Sequence, residues 1–155
     1  EEMAVQLSAV GRTVVVIRAY SVSGGHVRRP RSYAFSDFIL QAAQGHVHVS
    51  ANSPVYRRYC SVRDALTVAL RAGSNGRSGL FETGGSHVEI GELAEAIVAS
   101  VNPRASVTRS SLVSSIAGSY CSDNTSWLEW SATAGVRPAD LDEQIAQAAE
   151  TLLSP

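Results

Sequence analysis

The sequence contains no lysine; all thirteen basic residues are arginine. A phosphate-loop lysine, a Schiff-base lysine and a Tyr-x-x-x-Lys catalytic pair are therefore excluded from this chain. Cysteine is scarce: Cys60 and Cys121 have no metal-ligand spacing and no disulfide framework, so a reduced, cytoplasmic setting is expected. No apolar run approaches the roughly 20 residues that span a bilayer, and the acidic opening "EEMAVQLSAVG" is not a signal peptide. With a net charge of −1 the chain has no electrostatic footprint for nucleic acid or an anionic membrane. The fingerprint G-x-G-x-x-G is absent. What remains is an ordinary globular composition, 45% hydrophobic and 17% charged, in 155 residues, enough for one domain with a core of its own.

The apolar pattern alternates between strand and helix. Met3, Leu7 and Val10 mark a first helix with Gly11 as its stop. Residues 13–19, "TVVVIRA", form the β-branched run expected of a strand buried in a parallel sheet. Residues 21–35 are rich in Gly, Pro and Arg and read as a long, functional surface loop. Ser36 is the expected cap of a helix that ends at Gly45. "HVHVS" alternates as a strand, "ANSP" turns, and "VYRRYC" is a second strand.

A capping box at Ser61-Val62-Arg63-Asp64 starts a helix that runs to about Gly73. "GLFET" is a buried strand, parallel to and neighbouring residues 13–19. Gly84-Gly85 turns the chain into a helix striped by Ile90, Leu93, Ala94, Ile97, Val98 and Val101, which Asn102-Pro103 ends. "ASVTR" is one more short strand, and residues 110–122 read as irregular. Asp123 caps a helix through Trp127 and Trp130, and Asp140 with Glu143 boxes the last one. Strands alternating with helices place the chain in the α/β class, with no internal repeat.

Several residues carry candidate chemistry. His46 and His48, two apart on a strand, face one side as a metal pair would, but no third ligand stands nearby, and partly exposed histidines are the plainer reading. Asn124-Thr125-Ser126 matches a glycosylation acceptor without the secretory context it needs. Trp127 and Trp130 are expected in the core. Arg57 and Arg58 are neighbours on a strand, so only one of them can line a given pocket. A guanidinium has forked donors and a permanent charge that match a phosphate; from the chemistry alone, a solvated surface pair is an equal alternative.

Four stretches, in order, resemble the carboxy-terminal half of the extended short-chain dehydrogenases, specifically the NAD-dependent nucleotide-sugar epimerases and dehydratases. "VVVIRAYSVSGG" resembles the family's V-V-I-L-R-x-x-N-V-Y-G-P. "VYRRYCSVRDALTVAL" is similar to V-R-D-F-I-Y-V-D-D-V-A-x-A-L. "GLFETGGSHVEIGELAEAI" is similar to G-x-x-F-N-V-G-S-x-x-x-V-S-I-x-E-L-A-E-x-I. "SATAGVRPADLDEQIAQAAETL" resembles L-G-W-x-P-x-x-x-L-E-E-G-L. Together they span nearly the whole chain.

The resemblance implies the last strands of a Rossmann-type parallel sheet with a small α/β substrate-binding lobe across residues 1–155. It also implies a longer parent whose NAD-binding half and Tyr-x-x-x-Lys pair precede Glu1. NAD would be bound mainly by that half and would take hydride from a sugar carbon, giving a keto intermediate that is inverted and re-reduced, or dehydrated. Here Ala19, Tyr20 and Val22 would run beside the cofactor, and Ser21 and Arg57 would contact the nucleoside-diphosphate sugar, Arg57 at its diphosphate. Tyr120 and Asp123 resemble a Y-x-x-D segment of sugar-modifying members. No catalytic residue is expected in this chain alone, and a homo-oligomer is.

The departures from the family pattern are specific. Ser21 stands for an asparagine, Arg58 and Arg63 for aspartates, and Glu82 for the asparagine of F-N-V-G. The second diphosphate arginine, in R-x-G-D, has no match, leaving Arg104 and Arg109 as candidates. The alternatives are a non-catalytic ligand- or partner-binding module of the same descent and a reductase acting on a non-nucleotide substrate.

Overall fold

A computed structural model describes residues 1–154, apart from the side chains of residues 3–5 and 8; of the Met3, Leu7 and Val10 stripe expected of the first helix, the Met3 side chain lies outside the described residues, and Leu7 and Val10 are exposed, Val10 beyond the helix end. That helix, α1, spans Glu2–Ala9. The β-branched run forms β1 (Val15–Arg18), followed at once by β2 (Ser21–Ser23). A 3-10 turn (Pro30–Ser32) leads into α2 (Ala34–Ala43), β3 (His46–Val49), β4 (Val55–Ser61) and α3 (Val62–Ser74). Then come β5 (Gly79–Glu82), β6 (Ser86–Glu89), α4 (Ile90–Val101), β7 (Ser106–Arg109), β8 (Gly118–Tyr120), α5 (Thr125–Thr133) and α6 (Leu141–Leu152).

The expected parallel pair is present: β1 lies on β5, with Val15 opposite Gly79 and Arg18 opposite Glu82. The strand β3 pairs in parallel with β7. The strand β4 organises the rest. Along one edge it takes β6 antiparallel, Tyr56 opposite Glu89. Along the other it takes β2 on Tyr59 to Ser61 and β8 on Val55 to Arg57, both parallel. The two short strands therefore follow one another along the same edge.

Alternation along β4 divides the core in two. Tyr59 packs with Phe35, Ile39, Val47, Leu93, Ile97 and Ile145, a cluster made by α2, α4 and α6 on the neighbouring strands. Cys60, pointing the other way, belongs to a second cluster with Val68, Phe81, Trp127 and Trp130. Both tryptophans are buried, with ring centroids 6.0 and 5.1 Å from that of Phe81; they are core residues, as expected. Burying large side chains of this kind contributes roughly 1.5–3 kcal/mol each.

Six local expectations are corrected. The cap position of α5 is held by Asn124, not Asp123, with no side-chain cap bond, because Asn124 turns through a left-handed backbone there. The stretch 21–35 is not all loop, because β2 pairs there with β4. Ser36 does not cap α2; Tyr33 holds the cap position with no side-chain bond, and Ser36 lies buried inside the helix. The box at residues 61–64 is half formed: Ser61 accepts the Asp64 N–H, while the Asp64 carboxylate accepts the backbone N–H of Ala139 at 2.8 Å. Gly84-Gly85 leads not into a helix but into β6, whose last residue, Glu89, boxes the start of α4 with Glu92. The irregular stretch 110–122 contains β8. The box of Asp140 and Glu143 forms as expected.

Candidate functional site

A cleft of about 520 Å³ opens where the end of β1 passes into β2, beside β4, β3 and the start of α2. Its walls include Tyr20, Ser21, Val22, Arg31, Tyr33, Phe35, Asp37, His48, Ser50, Arg57 and Tyr59. Four residues singled out in the sequence, Tyr20, Ser21, Val22 and Arg57, thus meet at one place.

The meeting follows from strand register. Ser21 is paired with Tyr59 and Tyr120 with Arg57, on successive stretches of the same edge of β4. Tyr20 and Tyr120 consequently touch, ring centroids 5.1 Å apart and tilted by 52°. Partial burial, and then the neighbouring Glu82 carboxylate, push the Tyr20 hydroxyl above the ordinary phenol range. Val55, Arg57 and Tyr59 point to the cleft side of β4. Arg57 makes one bond, Nη1 to the carbonyl of Tyr56 at 2.8 Å, and no carboxylate among the described residues pairs with it.

Arg58 points to the opposite side and is committed there. Its Nε donates to the carbonyl of Ser122 and its Nη1 to that of Gly85, both at 3.2 Å. Those carbonyls belong to the loops that precede α5 and β6, so Arg58 ties the two loops to the sheet. Gly85 also lets its loop lie directly on the backbone of β4: at φ 105, a side-chain Cβ there would sit 2.1 Å from the carbonyl oxygen of Tyr59. Its N–H donates to Asn124 Oδ1 at 2.8 Å, and Asn124 itself adopts φ 77 to offer that oxygen. The glycosylation-like Asn124 is thus a loop clamp.

Other expected residues lie elsewhere. Ala19 is exposed at the end of β1. Asp123 is outside the cleft wall, its Oδ1 accepting the N–H of Thr125 at the first turn of α5. Glu82 stands beside Tyr20 and pairs with Arg18 at 3.3 Å. Of the two histidines only His48 is in the cleft wall; both bond across to β7, His46 Nδ1 with Ser106 Oγ at 2.9 Å and His48 Nδ1 with Thr108 Oγ1 at 3.1 Å.

Arg109, a candidate for the second diphosphate arginine, is instead locked into the fold. Its two terminal nitrogens grip both oxygens of Glu89 at 2.8 Å, and it donates further to the carbonyls of Ala51 and Ser53. Burial would raise the Glu89 carboxyl, but bonds from Arg109 and the N–H groups of Val55 and Gly91 outweigh it and hold the carboxyl at about 2. Arg104 lies exposed in the turn after α4 and is not in the cleft wall. The polar cleft residues that sequence reasoning missed include Arg31, Tyr33, Asp37, Ser50 and Tyr59. The arginine-rich loop was the signal for Arg31, though which of its arginines turns inward was not legible.

No protein-family model matches the sequence, and no curated protein does. Solved structures match over nearly the full chain. One is a UDP-N-acetylglucosamine 4-epimerase from Methanobrevibacter ruminantium in complex with UDP-N-acetylmuramic acid, with TM-score 0.74 and 15% identity, covering 98% of this chain and 50% of that one. The UDP-N-acetylglucosamine 4-epimerase from Bacillus cereus matches with TM-score 0.73 and 16% identity, over 97% and 52%. An NAD-dependent NDP-hexosamine 5,6-dehydratase involved in tunicamycin biosynthesis matches with TM-score 0.69 and 16% identity, over 98% and 51%. The fold is that of the carboxy-terminal part of these enzymes. The chain spans about half the length of the solved structures it matches. Within this epimerase/dehydratase half-fold, the cleft is walled by β2, β4 and the start of α2. No helix of the described residues is long and apolar enough to cross a membrane.

Proposed function

We propose that this chain is the substrate-binding part of an NAD-dependent epimerase or dehydratase acting on a nucleoside-diphosphate sugar. The observation that carries the reading is the convergence of Tyr20, Ser21, Val22 and the carboxylate-free Arg57 on one cleft. Arg57 holds the diphosphate as a positioning charge, and the Ser21 hydroxyl and the Tyr20–Tyr120 pair border the sugar. Asp123, bonded to the Thr125 N–H outside the cleft wall, takes no direct part in it. The exposed Ala19 and Val22, with Tyr20 beside them, fit the edge of a nicotinamide ring; the rest of the NAD contacts belong to an amino-terminal half. NAD supplies hydride acceptance and return when bound. The residues of this chain bind and orient.

Without lysine or the glycine fingerprint, this chain alone turns over no sugar. A non-catalytic module of the same descent is the second reading, favoured by Glu82, which stands where the family pattern has asparagine and is paired with Arg18. The parent gene separates the two: a G-x-x-G-x-x-G near its start and a Tyr-x-x-x-Lys shortly before Glu1 select the enzyme, and their absence the module. Turnover by the purified chain would overturn the placement of the catalytic pair outside it.

A further inference from the structure

We propose that Arg31 is a second anion-binding side chain of the cleft, serving a diphosphate together with Arg57 and parked on Asp37 until the anion arrives. The inference rests on the reading of the cleft as a nucleoside-diphosphate site and adds to it a residue that no resemblance assigns. Arg31 lies in the short 3-10 turn that begins with Pro30, whose ring restricts the backbone, and its side chain is part of the cleft wall. Only one of its nitrogens is engaged: Nη1 donates to Asp37 Oδ1 at 3.0 Å. The remaining N–H groups make no bond among the described residues.

Asp37 is held from behind. Gln41 Nε2 donates to its other oxygen, and Gln41 Oε1 accepts the backbone N–H of His48 on β3 at 2.7 Å. The carboxylate is therefore fixed to α2 and β3, and the guanidinium rests on it at the cleft wall. Arg31 is 52% exposed at its side chain, and an ion pair this exposed is worth little. A phosphate, which offers charge-assisted and bidentate acceptance, can take the guanidinium over at small cost. The other arginines near β4 cannot play this part, since Arg58 and Arg109 are committed to backbone carbonyls and to Glu89.

The test is calorimetric titration of the 155-residue chain with UDP and with UMP, repeated for R57A, R31Q and D37N. The expected result is a loss of UDP affinity in R31Q of roughly threefold to tenfold, with a smaller loss for UMP. D37N, which removes the carboxylate that competes with the anion for Arg31, binds UDP as well as the unmodified chain or better. If R57A weakens UDP binding and R31Q does not, the role of Arg31 is overturned and the reading of the cleft stands. Equal losses in R31Q and D37N assign Arg31 to the fold alone and also overturn it. An unmodified chain that binds no UDP overturns the reading and this inference together.

Discussion

Arg57 and Arg58 are adjacent in sequence yet belong to different parts of the protein. The guanidinium of Arg57 faces the cleft beside β2, while that of Arg58 lies on the other side of β4, bonded to the carbonyls of Ser122 and Gly85. The pleat of one strand separates a binding role from a structural one.

Substitution should divide these roles. Arg57→Ala is expected to cost about 1.5–3 kcal/mol of UDP binding, a roughly tenfold to hundredfold loss, with little change in melting temperature. Arg58→Ala should change UDP affinity less than about threefold while lowering stability by about 1–3 kcal/mol, because two carbonyls lose a charged donor. Paired titration and thermal melts of both variants make the measurement. Equal losses of affinity in the two would sink the assignment.

Glu89 makes stability depend on acid. Its folded carboxyl titrates at about 2, below the ordinary value of 4.5, so its contribution is complete above pH 4.5 and disappears as pH falls toward 2. Urea melts across that window should show a falling midpoint, with a shallower fall in Glu89→Gln. Arg109→Met should destabilise at neutral pH by about 3–5 kcal/mol, since it leaves the carboxylate buried without its partner. A midpoint with the same acid profile in Glu89→Gln would show that other groups carry the dependence.

The left-handed backbone at Asn124 separates two contributions. Asn124→Gly keeps φ 77 accessible and loses only the oxygen that the Gly85 N–H requires. Asn124→Ala loses both and should be less stable than the glycine variant by about 1–2 kcal/mol. Equal melting temperatures for the two would mean that backbone strain at this position is negligible.

Among the described residues β1 and β5 pair only with each other, leaving both outer edges of that sheet unpaired. Concentration-dependent self-association is the expected consequence, through strand addition at these edges. Light scattering of the isolated chain up to millimolar concentration tests it, and a strict monomer throughout would count against the homo-oligomer.

The sequence by itself determined what neighbouring residues can encode. The run at residues 13–19, the Asp140–Glu143 box and the stripe from Ile90 to Val101 each state their structure within one or two turns of chain, and each formed. The two arginines at 57 and 58 carried their opposite orientation in the same local way. Tertiary structure alone decided the rest. The strands β2 and β8 are three residues long and exist only because β4 supplies an edge for them. Glu89 can be a buried carboxylate because Arg109, twenty residues later, reaches it. Arg31 is paired at the cleft wall with Asp37, and Asp37 is itself held through Gln41, which also bonds β3. Such contacts depend on which distant groups the fold brings within hydrogen-bond reach, and hydrophobic periodicity carries no record of that.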